Sequence, residues 1–467
     1  MRTTSHSAAV PLRARDGLPP GPGGISVLNI LRLLRDPLTA LGDAHREFGD
    51  ATTFRVGSLR FVSVADPAFA QHVLVRNHRN YIKSRSYQGL RLVLGNGLVT
   101  SEGEHWKRQR KLAQPAFHRG RLAKLADTIA QCVEERTTQW EHRASSTIDV
   151  HDEMMQLTLR IVGRALFGTD LGGGEGSDLG ALGPAVTTSL HKANEYAEAL
   201  VRVPLWVPTP SNVRFARAKR LLDGIVHGII EGRRSSGEQR DDVLGTLMAA
   251  TDESGTERMD DQQLRDEVMT LFMAGHETIA TAMSWTFLLL HQHPEVTARV
   301  RDDLASVLGG RTPVIDDLAK LPYLGQVIDE SMRLYPPAWI VERQALDDDQ
   351  LGPWRIPKGT TVAVSPWIMH RHPALWHEPL RFDPDRFAPG AIDRDKHAYL
   401  PFGAGPRICI GNHFALMEAK LILAIVLQRW SIELLDPAAV RPDPRVTLRP
   451  AGGMPARLHR TGAPVLS

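Results

Sequence analysis

The sequence predicts a mainly α-helical protein with a small β region, folded as one large domain. Apolar residues recur with the period of a helix along most of the 467 residues, over the longest stretch at 261–292. Alternating β-prone residues are confined to short segments, the clearest being 51–56 and 60–64. No Pro/Ser-rich linker divides the body, so one large domain is favoured although the length exceeds the usual size of a single core.

The first residues are expected to stand apart from this domain. Residues 1–17 are polar and precede the turn-forming run Leu18-Pro19-Pro20-Gly21-Pro22, which predicts a flexible tail followed by a folded body over 18–467. The tail lacks the apolar stretch of a signal peptide, and no apolar run approaches the roughly 18 residues that span a bilayer. A transmembrane segment is therefore not expected.

Composition excludes some classes of protein. Apolar residues make up 42% and charged residues 23% of the chain, the balance of a globular protein, and a formal net charge of +3 gives no reason to expect nucleic acid as a partner. Cys132 and Cys409 are the two cysteines, which excludes a disulfide scaffold and fits a reducing cytoplasm.

The predicted elements follow in chain order. An amphipathic helix starts at Asp36-Pro37 and runs to about 48, and the two alternating segments form a hairpin that turns near Gly57-Ser58. The stretch 370–408 has little periodicity but contains large buried-type residues, so it is predicted to be ordered. Further helices are predicted at 67–76, 104–113, 120–142, 150–168, 183–199, 212–234, 261–292, 294–308, 322–335 and 411–430, with strands near 340–345 and 361–365.

A glycine-rich run surrounds the second cysteine. It consists of Phe402-Gly403-Ala404-Gly405-Pro406-Arg407-Ile408-Cys409-Ile410-Gly411, and a helical pattern follows. Backbone N–H groups and the helix dipole favour a thiolate at Cys409, the glycines admit a flat ligand, and Arg407 can pair with a carboxylate of that ligand. These are the needs of a haem with an axial thiolate. The alternative is a buried structural cysteine. A dinucleotide loop is disfavoured because no strand precedes the run, and zinc because no second cysteine lies nearby.

The middle of the longest helical pattern carries Ala274-Gly275-His276-Glu277-Thr278. A zinc-protease helix would need a second histidine at 280, where the chain has Ala280. Gly275 costs about 1 kcal/mol relative to alanine in a helix, which a ligand lying against the backbone would explain. The Thr278 hydroxyl can bond a carbonyl one turn back. The alternative is a glycine that only serves packing, beside a capped acid.

Two further pairs lie at helical spacing. Glu330 and Arg333 are three residues apart, and Trp106 and Arg110 are four apart, so each pair shares one helix face. Taken alone, the first pair is an ordinary ion pair worth less than about 1 kcal/mol. The charges beside the second pair, Lys107, Arg108 and Lys111, face elsewhere, and a solvated helix face is their alternative interpretation.

The run at 402–411 resembles the haem-binding signature of the cytochrome P450 family, Phe-x-x-Gly-x-Arg-x-Cys-x-Gly, with every fixed position present. The resemblance extends from about Leu18 to the C-terminus and is to bacterial, soluble members. It implies the cytochrome P450 fold, with haem b buried between the long central helix and the helix after the cysteine loop. Cys409 would bind the iron, and Phe402, Gly403, Arg407 and Gly411 would belong to the cofactor loop.

The same resemblance implies roles for the other motifs. In the family's Ala/Gly-Gly-x-Asp/Glu-Thr motif the groove at Ala274 and Gly275 holds dioxygen, while Thr278 and Glu277 help deliver the protons that O–O cleavage needs. The remaining matches are haem propionate ligands and a buried structural triad that aids haem incorporation. The propionate ligands are Trp106, Arg110, Arg343 and Arg407, and the triad is Glu330, Arg333 and Arg386.

The implied function is a cytoplasmic monooxygenase that hydroxylates or epoxidises a lipophilic small molecule, a fatty acid or a terpenoid. Electrons would come from a ferredoxin or flavodoxin with its reductase, docking near Lys107, Arg108 and Lys111, with Arg407 and His413 beside the cysteine loop. A non-enzymatic haem sensor or carrier would not need Glu277 with Thr278. A peroxide-driven peroxygenase would work without an electron donor.

Overall fold

The computed structural model describes residues 11–12, 17–22, 27–56, 59–142, 147–171, 181–199, 202–238, 240–251, 258–391 and 395–461. Helices predominate and strands are short. The helices are α1 (Val27–Arg35), α2 (Pro37–Phe48), α3 (Pro67–Gln71), α4 (Tyr87–Leu94), α5 (Gly103–Ala113), α6 (Arg119–Glu141), α7 (Val150–Ile161), α8 (Leu182–Glu198), α9 (Pro210–Ser236), α10 (Val243–Ala249), α11 (Asp261–Gln292), α12 (Pro294–Leu308), α13 (Pro322–Leu334), α14 (Pro366–Met369) and α15 (Asn412–Arg429). The strands are β1 (Pro11–Leu12), β2 (Gly21–Pro22), β3 (Ala51–Val56), β4 (Leu59–Val64), β5 (Tyr81–Lys83), β6 (Ile148–Asp149), β7 (Val341–Ala345), β8 (Asp349–Leu351), β9 (Trp354–Ile356), β10 (Thr361–Val364), β11 (Trp430–Leu434), β12 (Arg441–Pro444), β13 (Leu448–Ala451) and β14 (Pro455–Arg460).

These elements confirm the predicted fold class. The helices predicted at 261–292 and 294–308 have those bounds in α11 and α12. The helices predicted at 67–76 and 150–168 begin as α3 and α7 and continue as the π-helical segments His72–Arg76 and Val162–Leu166, and the other predicted helices end within a few residues of observed ones. The short helices α1, α4 and α10 and the strands after 430 were not predicted. The turn at 57–58 and most of the predicted tail lie outside the described residues, although β1 within the tail pairs antiparallel with β2.

Chain contacts divide the protein into two compact units. The first comprises Met1–Ser86, Ala338–Arg381 and Asp393–Cys409, and the second comprises Tyr87–Pro337, Phe382–Ile392 and Ile410–Ser467.

A five-stranded sheet organises the first unit, in the order β3-β4-β10-β7-β5. Its pairs are antiparallel except β4 with β10, which run parallel with Phe61 opposite Thr361. Four valines that alternate along the central strands lie on one face of the sheet and are fully buried in an apolar cluster, namely Val62, Val64, Val362 and Val364. Ser63 and Ala363, between them, are fully buried as well. The sheet therefore gives its β7 residues, including Arg343, a rigid position.

The long helix α11 forms the centre of the second unit. It begins at a capping box in which the Asp260 carboxylate accepts from the Gln263 N–H at 2.7 Å, and it ends before Pro294. It packs against α7, α13 and α15. The contact with α13 includes a 2.8 Å hydrogen bond from the Thr286 hydroxyl to the Ser331 hydroxyl. Such packing explains why α11 is apolar on nearly all sides.

The C-terminal strands also belong to the second unit. The strands β11, β14 and β6 form a small antiparallel sheet, and β12 and β13 form a separate hairpin with Pro444 opposite Leu448. The Trp285 indole N–H of α11 donates to the Leu448 carbonyl at 2.6 Å, which fastens this hairpin to the long helix.

The Pro-rich stretch predicted to be ordered contains three 3₁₀ turns among its described residues, at Pro384–Phe387, Lys396–Ala398 and Gly405–Arg407. Across the part of the chain that the structure describes, no helix combines the length and apolar character needed to cross a membrane.

Candidate active site

The Cys409 loop lies in the first unit and is held by its own backbone. The Cys409 N–H donates to the Phe402 carbonyl at 3.0 Å, and the Ile408 N–H donates to the Gly405 carbonyl at 3.0 Å. Gly405 has φ +70°, and a Cβ there would lie 2.0 Å from the Leu74 carbonyl oxygen, so no larger residue fits. Cys409 itself is exposed. The loop therefore presents the thiol on a closed, backbone-bonded turn.

Two of the predicted propionate ligands lie in this same unit. Arg343 is on β7, is nearly buried and donates from Nη1 to the Glu342 carbonyl at 2.8 Å. Arg407 ends the 3₁₀ turn two residues before Cys409 and is half-buried. Guanidinium groups bind carboxylates with two parallel hydrogen bonds, so both can serve an anionic ligand.

A single accessible window interrupts the buried surface of α11 in the second unit. Every residue from Leu264 to Leu290 is buried except three: Ala274, which is exposed, and Gly275 and Thr278, which are half-buried. Ala274 and Thr278 are four residues apart and share one face. The Thr278 hydroxyl donates to the Ala274 carbonyl at 2.7 Å, as the sequence predicts. A ligand can therefore reach this helix at one place, beside a hydroxyl.

Gly275 has a packing role that the sequence left open. A Cβ at this position would lie 3.0 Å from Cγ2 of Val162, at the start of the π-helical turn Val162–Leu166 that follows α7. That approach is tighter than side chains normally make. Close packing therefore accounts for this glycine, and Ala274 is the exposed member of the pair.

Glu277 lies behind the window and is 5% exposed. Its Oε1 accepts a 2.8 Å hydrogen bond from the Thr447 hydroxyl, which comes from the turn between β12 and β13. Burial raises the pKa of Glu277, while the hydrogen bond from Thr447 and the charge of Arg449 act in the opposite direction. The carboxyl therefore keeps a proton to higher pH than an exposed glutamate does. Sequence reasoning missed Thr447 because nothing local marks a contact that spans 170 residues.

Trp106 and Arg110 lie one turn apart on α5, and both are half-buried. An indole N–H and a guanidinium on one face form a donor pair suited to carboxylates. The structure thus places them as their spacing predicts, in the second unit.

The basic face of the same helix is partly engaged within the protein. Lys107 pairs with Glu104 at 2.5 Å, and both are exposed. Arg108 turns toward the start of α11, where its Nη1 donates to Gln263 Oε1 at 3.4 Å and its Nη2 to the Arg258 carbonyl at 3.3 Å.

The positive character of this surface continues past α5. Lys111 lines an open hollow of about 790 Å³ together with His118, Arg121 and Lys124. Arg121 and Lys124 both pair with Asp241, at 3.3 and 2.5 Å.

Glu330, Arg333 and Arg386 meet in the second unit, and all three are buried. Arg333 donates two hydrogen bonds to the Glu330 carboxylate, at 2.6 and 2.8 Å, and Arg386 Nε lies 3.3 Å from Glu330 Oε1. The Asp383 backbone N–H donates to the same oxygen at 2.9 Å. The triad joins the end of α13 to the 3₁₀ turn Pro384–Phe387.

The residues present in each unit are chemically suited to a haem that is bound by a thiolate. The first unit offers an exposed thiol on a closed loop, with Arg343 and Arg407 as guanidinium groups that would bind carboxylates. The second unit offers the accessible window on α11. Within the described ranges, no group of three His, Cys, Asp or Glu side chains is arranged to bind another metal ion.

Comparison with known proteins agrees with this geometry. The family model "Cytochrome P450" matches residues 19–454. Cyclooctatin synthase of Streptomyces melanosporofaciens is 37% identical over 91% of this chain and 92% of its own length. Cyclooctat-9-en-7-ol 5-monooxygenase of the same organism is 35% identical (91% and 90%), and pentalenene oxygenase of Streptomyces avermitilis is 34% identical (90% and 92%). The chain therefore belongs to the cytochrome P450 family of monooxygenases.

Proposed function

We propose that this protein is a haem-thiolate monooxygenase that hydroxylates or epoxidises a terpenoid, using dioxygen and electrons from a separate protein. The observation that carries the proposal is the window on α11, where the Thr278 hydroxyl is accessible and the protonatable Glu277 lies buried behind it. A terpenoid is favoured over a fatty acid because relatives covering about nine tenths of the chain are named for cyclooctat-9-en-7-ol and pentalenene.

Cys409 would bind the iron of haem b, and Trp106, Arg110, Arg343 and Arg407 would hold the propionates. Phe402, Gly403 and Gly411 would shape the loop beside the cofactor. When bound, the haem would supply the activation of dioxygen, and a thiolate ligand from Cys409 would favour that chemistry. The match of the family model to 19–454 supports a single functional domain over 18–467 that includes both compact units.

The proton chemistry falls to the residues of α11. The Thr278 hydroxyl can donate a hydrogen bond toward the window, and burial raises the pKa of Glu277, so this acid keeps a proton to higher pH than an exposed glutamate does. Ala274 and Gly275 lie beside them, where a small ligand would meet no long side chain.

The acid behind the window also separates this proposal from its alternatives. A haem sensor or carrier does not split dioxygen and needs no buried proton donor. A peroxygenase receives its oxygen already reduced. The buried acid Glu277, which is held by Thr447, supports an enzyme whose chemistry would need a proton source.

Electrons would reach the protein from a ferredoxin or flavodoxin in the cytoplasm. The support is the positive surface along α5 and the adjoining hollow, which suits an acidic carrier.

Substrate binding and turnover test the proposal together. Cyclic diterpene and sesquiterpene hydrocarbons and alcohols are titrated into the haem-loaded protein alongside fatty acids, and the shift of the Soret absorbance is recorded. We expect a shift with terpenoids and a product that contains one atom from labelled dioxygen when a ferredoxin system is supplied. A shift with fatty acids alone would refute the terpenoid assignment. Equal product from hydrogen peroxide without a donor would favour the peroxygenase.

A further inference from the structure

The hairpin of β12 and β13 is attached to its surroundings through both backbone groups of Leu448. The Leu448 N–H donates to the Pro337 carbonyl at 3.0 Å, and the Leu448 carbonyl accepts from the Trp285 indole N–H at 2.6 Å. Trp285 is fully buried and stacks on Tyr335 with ring centroids 4.2 Å apart. Both backbone groups of Leu448 are therefore anchored, and its neighbour Thr447 is held in place.

The turn that precedes Leu448 is closed as well. The Arg445 N–H donates to the carbonyls of Asp443 and Thr447, each at 3.0 Å. Thr447 is 5% exposed, and its hydroxyl donates to Glu277 Oε1 at 2.8 Å. A hydroxyl set on such a supported turn loses little freedom when it binds the carboxyl.

Among the described residues, a cation on β13 acts on the Glu277 carboxyl. The charge of Arg449, on β13, acts to lower the pKa of Glu277. Arg449 also contacts His191 Nε2 of α8 at 2.7 Å and Asp443 Oδ2 at 3.4 Å. His276 precedes Glu277 on α11, and His151 on α7 acts electrostatically on His276; burial lowers the pKa of both histidines to about 4. Both histidines are therefore neutral near pH 7 and add no charge.

We propose that Thr447 is a positioning residue for Glu277: the hairpin of β12 and β13 holds the acid's carboxyl behind the α11 window through the Thr447 hydroxyl. The inference rests on the proposed function, in which Glu277 delivers protons. The donor lies on the hairpin, 170 residues away in the sequence. The hairpin, and not α11, therefore orients the carboxyl of Glu277.

The hydrogen bond from Thr447 also affects the pKa of Glu277, and the direction of the effect follows from which group donates. A hydroxyl that donates to a carboxylate stabilises the charged form and lowers the pKa of the acid. Thr447→Val keeps the shape of the side chain but removes the donor, so the pKa of Glu277 should rise. Thr447→Ser keeps the donor and should restore the parent value.

Infrared titration of the resting, haem-loaded protein provides a readout independent of turnover. The carbonyl band of protonated Glu277 is assigned by its loss in Glu277→Gln and followed against pH in Thr447→Val and Thr447→Ser. Thr137→Val is the matched control, because Thr137 is a buried threonine whose hydroxyl donates to a backbone carbonyl of α6. An unchanged Soret spectrum establishes that each variant is folded.

The inference is supported if the Glu277 band titrates at higher pH in Thr447→Val and at the parent pH in Thr447→Ser and Thr137→Val. A parent titration in Thr447→Val overturns it, and so does an equal shift in Thr447→Ser. Turnover then separates the proton-delivering role of Glu277 from the positioning role of Thr447. Parent coupling in Glu277→Gln overturns the proton-delivering role itself. Loss of coupling in Glu277→Gln with parent coupling and titration in Thr447→Val overturns the role of Thr447 alone.

Discussion

The thiols of Cys409 and Cys132 have opposite environments. Cys409 is exposed on its loop, whereas Cys132 is fully buried in α6, where burial raises its pKa to about 11. Only an accessible thiol that loses its proton can bind iron. We therefore expect Cys409→Ala to lose the strongly red-shifted Soret band of the reduced, carbon-monoxide-bound protein, while Cys132→Ala keeps it. Survival of the band in Cys409→Ala would refute the ligation.

Thr278 contributes a hydroxyl to the window on α11. Its bond to the Ala274 carbonyl uses the hydroxyl proton in the resting protein, so the group must turn to serve a ligand. Thr278→Ala should still bind haem and consume reducing equivalents, but should form severalfold less product and more peroxide per electron pair. Thr278→Ser is the control and should stay close to the parent. Parent coupling in the alanine variant would remove Thr278 from the mechanism.

At the scale of elements, the triad joins α13 to the 3₁₀ turn Pro384–Phe387. Glu330 forms ion pairs with the buried Arg333 and Arg386, so Glu330→Ala removes the carboxylate that both guanidinium groups face and should destabilise the protein by about 3–5 kcal/mol. Asp385→Ala is the matched control. Asp385 lies in the same 3₁₀ turn, and the substitution breaks its exposed ion pair with Arg299 of α12, which is worth less than about 1 kcal/mol. Urea unfolding and haem content measure both effects. Equal stability of the two variants would show that the triad is not a structural clamp.

The basic face of α5 is expected to act on the encounter with the electron carrier. Reversing Lys107 and Lys111 to Glu should slow reduction by an acidic ferredoxin about tenfold at low salt, without changing the haem spectrum or reduction by dithionite. The difference should shrink as salt shortens the Debye length from about 10 Å at 0.1 M to about 3 Å at 1 M.

Charge reversal elsewhere controls for net charge. Lys320 and Lys358 are exposed lysines outside α5, and reversing both produces the same change in total charge. Stopped-flow reduction rates across a salt series compare the two double variants. Equal rates and salt slopes in the two double variants would show that the α5 lysines only form a solvated helix face.

For the whole molecule, buried neutral histidines predict sensitivity to acid. Burial lowers the pKa of His45, in the first unit, and of His276, in the second, to about 4. The unfolded chain binds a proton at each near pH 6.5, so stability is lost as pH falls from about 6.5 to about 4. Each histidine contributes a loss of up to about 2 kcal/mol at pH 5.

The test compares the pH dependence of variants with that of the parent, because the buried Glu277 and Glu418 act in the opposite direction. Burial raises the pKa of both acids, which favours the folded state as pH falls. His45→Gln should show a smaller change in urea midpoint between about pH 7.5 and about pH 5 than the parent. The exposed His377→Gln should match the parent. An unchanged pH dependence in His45→Gln would contradict the assignment.

Features that depend on neighbours along the chain were predictable from the sequence. The helices 261–292 and 294–308 have their predicted bounds, because helical periodicity and the break at Pro294 act within a few residues. The hydrogen bond from Thr278 to Ala274 follows from the same short range. The resemblance of the cysteine run directed attention to Cys409 and to the triad, whose members the structure brings together.

The tertiary structure decided the features that join distant segments. The hairpin of β12 and β13 has no strong pattern of its own, and its place is determined by the anchoring of Leu448 to Pro337 and Trp285. Packing on Val162 explains Gly275, and Thr447 holds Glu277 from 170 residues away. The sequence by itself determined most of the long helices, because helical periodicity is local, and the resemblance of its motifs indicated which residues would carry the chemistry. Only the folded chain decided what each reactive group contacts, because burial and long-range hydrogen bonds exist only after distant segments have packed together.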